Sequence, residues 1–364
     1  MPSGDCSASV SRRFWRGYPR RVEHPFAEPP PPGATTTVAP GIQWLRMPLP
    51  FALDHVNLWL IEDGSGHALV DTGFGDHATR KLWDAHASTT LRERPITSIV
   101  VTHFHPDHLG NAAWLAKRHG ASIAMTEAEY ATSRAVHAQT AGHALADVAA
   151  FFRAHGVDEA HVREIEQRGN RYRAAVPELP THYRRLAPNA TLTLGGDAWR
   201  LIAGHGHSPE HAALHCAARS VLISGDMLLP RISTNVSVHA HAPTADSLGR
   251  FLDSLTAFAA LPDDTLVLPS HGLPFRGIAE RIAQLRSHHE ARLGEILAAT
   301  TSEGVSAAQI VPVLFRRELD VQQRFFAIGE AIAHLNHLVA KGRLARTVDA
   351  TGRIRFVPAA NGAA

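Results

Sequence analysis

From residue 41 the chain runs in short apolar stretches, each closed by a turn, and these predict β-strands. GIQWLRMP and VNLWLIED are the first two, and HALVDTGFG is a third that ends in an acidic, Gly-rich turn. Residues 76–88 have helical spacing, and ITSIVVTHFH is a β-branched strand that runs straight into histidines. HLGNAAWLAKRHG predicts a helix closed by Gly120, followed by the short strand ASIAM. The period then changes. Residues 126–186 hold about three helical stretches, ADVAAFFRAHG and DEAHVREIEQRG among them. Strands resume with ATLTLGG, AWRLIAG, HAALHCA and SVLISGD; a helix over about 244–260 precedes a last strand, TLVLPSHG.

Strands, interspersed helices, then the same again predict an α/β fold of two packed sheets with helices outside. The body spans 41–276, and the helical insert 126–186 lies over one edge, a natural place for a lid. Residues 277–364 read as helix, helix, helix and β-hairpin, a winged-helix order that predicts a second, small domain. Residues 1–40 combine Arg12, Arg13, Arg16, Arg20 and Arg21 with the prolines Pro29 to Pro32 and predict a disordered tail with no face to bury.

Composition excludes several classes. Apolar residues make up 45% and charged residues 19%, as in ordinary globular proteins rather than disordered chains or coiled coils. No apolar run approaches the roughly 18 residues of a membrane span. Lys and Arg (36) nearly balance Asp and Glu (34), so charge gives no general case for a nucleic-acid or membrane partner. The string SRRFW at 11–15 touches on a twin-arginine signal, but RGYPRRVEHPF follows it in place of an apolar stretch. Cys6 and Cys216 make no disulfide framework, and a cytoplasmic location is expected. Only histidine is out of line, at 25 residues.

Four potential ligands stand together in VVTHFHPDHLG: His103, His105, Asp107 and His108, at the end of a buried-type strand. Residues two apart in extended geometry point the same way, so His103 and His105 can reach one ion. Asp107 and His108, beyond Pro106, face a second point. Imidazole and carboxylate suit zinc, iron or manganese. Further ligands must come from other strand ends, where His207 (GHSPEH), Asp226 (ISGDM) and His271 (LPSHG) are candidates.

This set, with Asp71 in VDTG ahead of it, resembles the metallo-β-lactamase-fold hydrolase superfamily over about 41–275. The resemblance implies an αββα sandwich with two metals at one rim. His103, His105 and His207 would hold one metal, Asp107, His108 and His271 the other, and Asp226 would bridge them. His207 is preferred to His205 because GHSPEH is similar to the family's Gly-His-Thr-Pro-Gly-His; Glu210 departs from the glycine there. His205 and His211 are then supporting or surface residues. Asp71 would hold a ligand ring by its second nitrogen, although an Asp before Gly73 also starts a turn.

Two zinc ions per chain are expected, with iron or manganese as alternatives. A hydroxide between them would attack the substrate, with Asp107 orienting it. A small ester, thioester or lactone is the expected substrate. Arg231 and Asn235, just after Asp226, and Tyr172 and Tyr183 in the insert are candidate substrate contacts. Tyr130, Phe151 and Phe152 are further candidates for an apolar pocket wall. The C-terminal pattern FxxGEAIAHLNHLxxKGRLxR resembles the tail of a β-lactamase-related subgroup that includes a mitochondrial endoribonuclease. A nuclease or phosphodiesterase acting on nucleic acid through the winged helix is therefore the second reading. A mononuclear iron dioxygenase of the persulfide type is the third, and a non-enzymatic sensor keeping the metal site the fourth. A homo-oligomer is among the expectations.

Overall fold

The computed structural model describes residues 22–51 and 53–360. Seven strands form the first sheet in chain order: β1 (Thr36–Ala39), β2 (Ile42–Pro48), β3 (His55–Asp63), β4 (Gly66–Val70), β5 (Ile96–Val100), β6 (Ser122–Thr126) and β7 (Arg184–Leu186). Pairing is antiparallel from β1 to β4 and parallel from β4 to β7. The parallel steps cross through α1 (His77–Ser88), through α2 (Pro106–Leu109) and α3 (Ala112–His119), and through the insert. The insert carries four helices: α4 (Glu127–Ala138), α5 (Leu145–Ala154), α6 (Glu159–Gln167) and α7 (Arg171–Ala175).

The second sheet contains β8 (Thr191–Leu194), β9 (Asp197–Gly204), β10 (His211–Cys216), β11 (Val221–Gly225) and β12 (Leu266–Pro269), in the order β12-β11-β10-β9-β8. Its one parallel step, β11 to β12, crosses through α8 (Ser247–Ala259). The C-terminal part is α9 (Ile278–Ala299), α10 (Ala307–Leu314), α11 (Val321–Ala340) and the hairpin β13 (Leu344–Val348) and β14 (Ile354–Pro358).

Period-two side chains explain the layering. On β2 and β3, Ile42, Trp44, Trp59 and Ile61 face inward against Trp199, Leu201, Leu214 and Ile223 of the second sheet. Their neighbours Leu45, Met47, Leu58 and Leu60 face the other way, into a cluster with Trp83 of α1 and Leu115 of α3. Strands covered on both sides read as nearly continuous apolar runs, as these do. The expected αββα sandwich is the fold observed.

Helices of the C-terminal piece cover the outer face of the second sheet. Ile202, Leu222 and Val267 share one apolar cluster with Phe251 of α8, Leu285 of α9, Ile310 of α10, Ile332 of α11 and Phe356 of the hairpin. Through that cluster the helix–helix–helix–hairpin piece packs on the outer face of the second sheet. Phe151 and Phe152 of α5 join the same cluster, Phe152 lying 5.4 Å from Phe325 between ring centroids. Both build core, and Phe152 also lines a cavity beside Phe325 and Ile328.

The N-terminal expectation needs correction. Residues 22–40 are bound to the sandwich: Glu23 pairs with Arg276, the Phe26 ring meets Trp44 edge-on at 6.3 Å, and β1 adds to the sheet edge. An open strand edge offers unpaired backbone groups, so four residues burying only Val38 suffice to join it. The rest of the expected tail, residues 1–21, lies outside the described residues. Among the described residues, no helix is long and apolar enough to cross a membrane.

One buried histidine makes the fold acid-sensitive. Neither ring nitrogen of His155 has a hydrogen-bond partner among the described residues, and its ring packs on Phe151 and Phe356. Burial, helped by the charge of Arg346, pushes its pKa down to about 3. The folded state thus refuses a proton that the unfolded chain accepts below about pH 6.5. Stability from this group is complete above that pH and falls by about 1.4 kcal/mol per unit as pH drops toward 3. Urea unfolding of His155→Leu at pH 8 and pH 5 is expected to show an acid loss smaller than wild type by about 2 kcal/mol. Equal losses would contradict this.

Candidate metal centre

Five strands deliver their C-terminal ends to one rim. Asp71 follows β4, residues 101–108 follow β5, residues 205–210 follow β9, Asp226 follows β11 and His271 comes two residues after β12. Two buried contacts lock the sheets together there. The Asn57 side chain on β3 accepts from Trp44 Nε1 (2.9 Å) and donates to the carbonyls of Pro269 (2.9 Å) and Gly272 (2.8 Å). The Ala212 amide donates to the Thr102 carbonyl at 2.8 Å. Gly225, at φ 54°, ends β11 with no room for a side chain, because a Cβ would lie 2.2 Å from His211 Nε2.

The seven ligand-type residues fall into two groups, His103, His105, His207 and Asp226 in one and Asp107, His108 and His271 in the other. In the first, His103 Nε2 lies 2.9 Å from His105 Nδ1 and 3.2 Å from His207 Nε2, and Asp226 Oδ2 is 3.3 Å from His207 Nε2. In the second, Asp107 Oδ2 is 3.4 Å from His108 Nε2 and 3.5 Å from His271 Nε2. The other oxygen of Asp226, Oδ1, faces this second group, 3.4 Å from His271 Nε2 and 3.6 Å from His108 Nε2. Asp226 thus turns one oxygen to each group.

The donor set fits divalent metal ions. Tetrahedral coordination with bonds of about 2.1 Å spaces ligand atoms about 3.4 Å apart, close to the spacings of the second group. His108 Nε2 and Asp226 Oδ1 are buried without a hydrogen-bond partner among the described residues. On four of the five imidazoles the ring nitrogen opposite the cluster is engaged. His103 Nδ1 meets Thr102 Oγ1 (3.0 Å), His108 Nδ1 meets Asp71 Oδ2 (2.8 Å), His207 Nδ1 meets the Asn235 carbonyl (2.7 Å) and His271 Nδ1 meets the His55 carbonyl (2.7 Å). Donating from Nδ1 leaves each Nε2 with a free lone pair aimed at the cluster, the tautomer that a metal needs.

Electrostatics agree. Burial, with the neighbouring imidazoles, holds His103 and His105 well below their ordinary pKa and so neutral. Burial opposes charge on His108 as well, yet Asp107, Asp71 and Asp226 together raise it well above the ordinary value. Three carboxylates thus favour positive charge at this point. Burial would raise Asp107, but His108 and His271 outweigh it and bring its carboxyl to about 2.

Asp71 sits at φ 62°, and its carboxylate accepts from the Thr102 amide (2.8 Å), Thr102 Oγ1 (2.9 Å) and His108 Nδ1. Asn tolerates that backbone conformation but gives up one accepting oxygen. For Asp71→Asn, metal affinity measured by competition with a chromophoric chelator is expected to fall by about 10–100-fold. An unchanged affinity would speak against this role.

Sequence reasoning passed over Glu129. This fully buried carboxylate on α4 accepts from the Phe104 amide (2.9 Å), Ser208 Oγ (2.6 Å) and the Glu210 amide (2.7 Å). Burial raises its pKa, and the three donors offset part of that. It ties the loop of His103 and His105 to the loop of His207. Tyr172, expected at the substrate, donates instead to the Phe104 carbonyl at 2.7 Å, so the insert clamps residue 104 from both sides. His55, on β3, was also passed over.

The remaining candidates divide. His205 turns its Nδ1 to the Pro209 carbonyl and stays out of the cluster. His211 is buried and its Nε2 accepts from the Asp226 amide at 3.1 Å, so it supports that loop rather than facing solvent. Asn235 contributes its carbonyl to His207 and donates its side-chain amide to Glu330 Oε2 at 3.1 Å. Arg231 is exposed. Tyr183 stacks on Tyr130 at 4.1 Å between centroids, and Tyr130 donates to the Pro180 carbonyl.

Comparison with known proteins agrees with this geometry. Residues 52–271 match the metallo-beta-lactamase superfamily, and residues 293–359 match the C-terminal domain of metallo-beta-lactamase-like proteins. A crystal structure of a beta-lactamase domain protein from Burkholderia ambifaria is 45% identical, with a TM-score of 0.87 over 93% of this chain and 98% of that one. The Bacillus subtilis (strain 168) protein named "Probable metallo-hydrolase YqjP" is 24% identical over 82% of this chain and 92% of its own length. A hydroxyacylglutathione hydrolase from Acidiphilium cryptum (strain JF-5) is 27% identical over 58% of this chain and 63% of that protein. The chain belongs to the metallo-beta-lactamase superfamily and is a metal-dependent hydrolase with a His/Asp metal-binding cluster.

Proposed function

We propose that this chain is a dinuclear zinc hydrolase of a small thioester, ester or lactone. His103, His105 and His207 would hold one ion, Asp107, His108 and His271 the other, with Asp226 shared. The observation that carries the reading is the split of the Asp226 carboxylate, 3.3 Å from His207 on one oxygen and 3.4 Å from His271 on the other. Five imidazoles and two carboxylates, with no thiolate, suit zinc. The likeness to hydroxyacylglutathione hydrolase supports a thioester as the first substrate to try.

Two divalent ions held there would supply Lewis acidity and bring the pKa of water toward neutrality. The chain's own residues do the rest. Asp107 stays ionised and accepts a hydrogen bond from the attacking water, orienting it. Asp71, Thr102, Asn235 and His55 keep His108, His103, His207 and His271 in one tautomer. Glu129 and Tyr172 hold the 103–108 loop still while charge develops beside it.

The full chain, purified without added metal, should be assayed on a hydroxyacylglutathione thioester, a small lactone, an aryl ester, an aryl phosphodiester and single-stranded RNA. Turnover of one of the first three, lost with a chelator and restored by zinc, is expected. Faster cleavage of the phosphodiester or the RNA, or oxygen uptake with a persulfide, would overturn the reading.

A further inference from the structure

The pattern GEAIAHLNH on α11 has no place in the chemistry above, yet His334, Asn336 and His337 are buried and Glu330 is half-buried. Nearly all of them bond to one segment, residues 235–246, which runs from the metal cluster to the start of α8. The Val238 amide donates to the Gly329 carbonyl at 3.1 Å, and Asn235 Nδ2 donates to Glu330 Oε2. Two turns further on, Asn336 Nδ2 donates to the carbonyls of Pro243 and Ala245, both at 3.1 Å, and His337 Nδ1 meets Asp246 Oδ1 at 2.9 Å. Residues seven apart share a helix face, so α11 acts as a straight template for that segment.

The end of the template nearest the cluster is built most tightly. Gly329 has no side chain because a Cβ there would lie 2.7 Å from Ser237 Oγ and 2.9 Å from Ser237 Cβ. Ser237 Oγ in turn donates to Asn235 Oδ1 at 2.8 Å, so both ends of the Asn235 amide are fixed, one by Ser237 and one by Glu330. The Asn235 carbonyl then receives Nδ1 of His207.

We propose that α11 is a positioning element of the metal centre: Glu330 and Gly329 seat Asn235 so that its carbonyl sets the tautomer and angle of His207. Glu330 is a positioning residue, acting through Asn235. The C-terminal piece is on this account part of the construction of the site rather than an attached binding module. The inference rests on His207 being a metal ligand.

Full-length chain is stripped of metal and titrated with cobalt(II) alone, following its visible absorption and its affinity by chelator competition. The variants are Glu330→Ala, Glu330→Gln, and Asn336→Ala as a control on the same helix and segment but away from His207. Burial raises Glu330 to about 7, so Gln is close to its neutral form and keeps an acceptor for Asn235. Wild type is expected to take two equivalents. In Glu330→Ala one of them weakens by about tenfold or more with an altered spectrum, while Glu330→Gln and Asn336→Ala keep both. Wild-type-like binding in Glu330→Ala, or equal weakening in Asn336→Ala, would overturn the positioning role alone. A wild-type chain that binds no cobalt would overturn the metal reading and this inference with it.

Discussion

Asp226→Ala is expected to lower turnover by about a thousandfold and to remove at least one metal equivalent per chain. Its two oxygens face one ligand group each, at 3.3 Å from His207 and at 3.4 and 3.6 Å from His271 and His108. Without it each group keeps three neutral or singly charged donors, and nothing holds two cations together. Loss of about 4 kcal/mol of transition-state stabilisation corresponds to that factor in rate. The same carboxylate raises the pKa of His108 and His271, so without it protons should compete less with residual metal for these imidazoles as pH falls. The check is metal content by mass spectrometry beside initial rates on the same preparation. A variant that keeps two equivalents and more than a tenth of the activity would refute the bridging role.

Glu129→Ala is the substitution with the largest expected effect on stability. It strands the Phe104 amide, Ser208 Oγ and the Glu210 amide, three donors converging on one buried carboxylate. A buried donor left without a partner costs about 1–3 kcal/mol, so the total is on the order of 4 kcal/mol. Urea unfolding of the metal-stripped chain measures this apart from metal binding. Glu129→Gln keeps one accepting oxygen and turns an amide toward the remaining donors, so it should fall between wild type and Ala. The metal off-rate should rise in both variants, because the loops of His103 and His207 lose their common anchor. Stability of Glu129→Ala equal to wild type would show that solvent or a neighbouring group satisfies the three donors.

These two residues also show what was legible in the sequence. Asp226 could be found because a buried strand, VLISG, ends in it, and four further ligand types stand in six residues after another strand. Ligands cluster at strand ends because the sheets must deliver them to one rim, and that leaves a local trace. Glu129 leaves none. It sits in EAEYATSR, which reads as a solvated helix face, and its partners Ser208 and Glu210 are about eighty residues away. Tyr172 and Asn235 were visible as polar residues near the site, but whether each touches substrate or braces a ligand loop depends on long-range packing. β1 and β7 failed for a simpler reason: strands of four and three residues bury one side chain each, too few to show a period.

The C-terminal piece was legible as a sequence of elements, while the face it packs on was not. A helix with an apolar stripe looks the same whether it closes a core of its own or covers the outer face of another sheet. Here Ile332 of α11 and Ile310 of α10 share a cluster with Leu222 and Val267 of the second sheet. That packing turns Glu330, Asn336 and His337 of α11 toward residues 235–246.

Metal content per chain, on protein purified without added metal, tests the central claim most directly. Two equivalents of zinc in wild type, falling sharply in Asp226→Ala, are the expected result. One equivalent of iron, unaffected by that substitution, would contradict the dinuclear hydrolase.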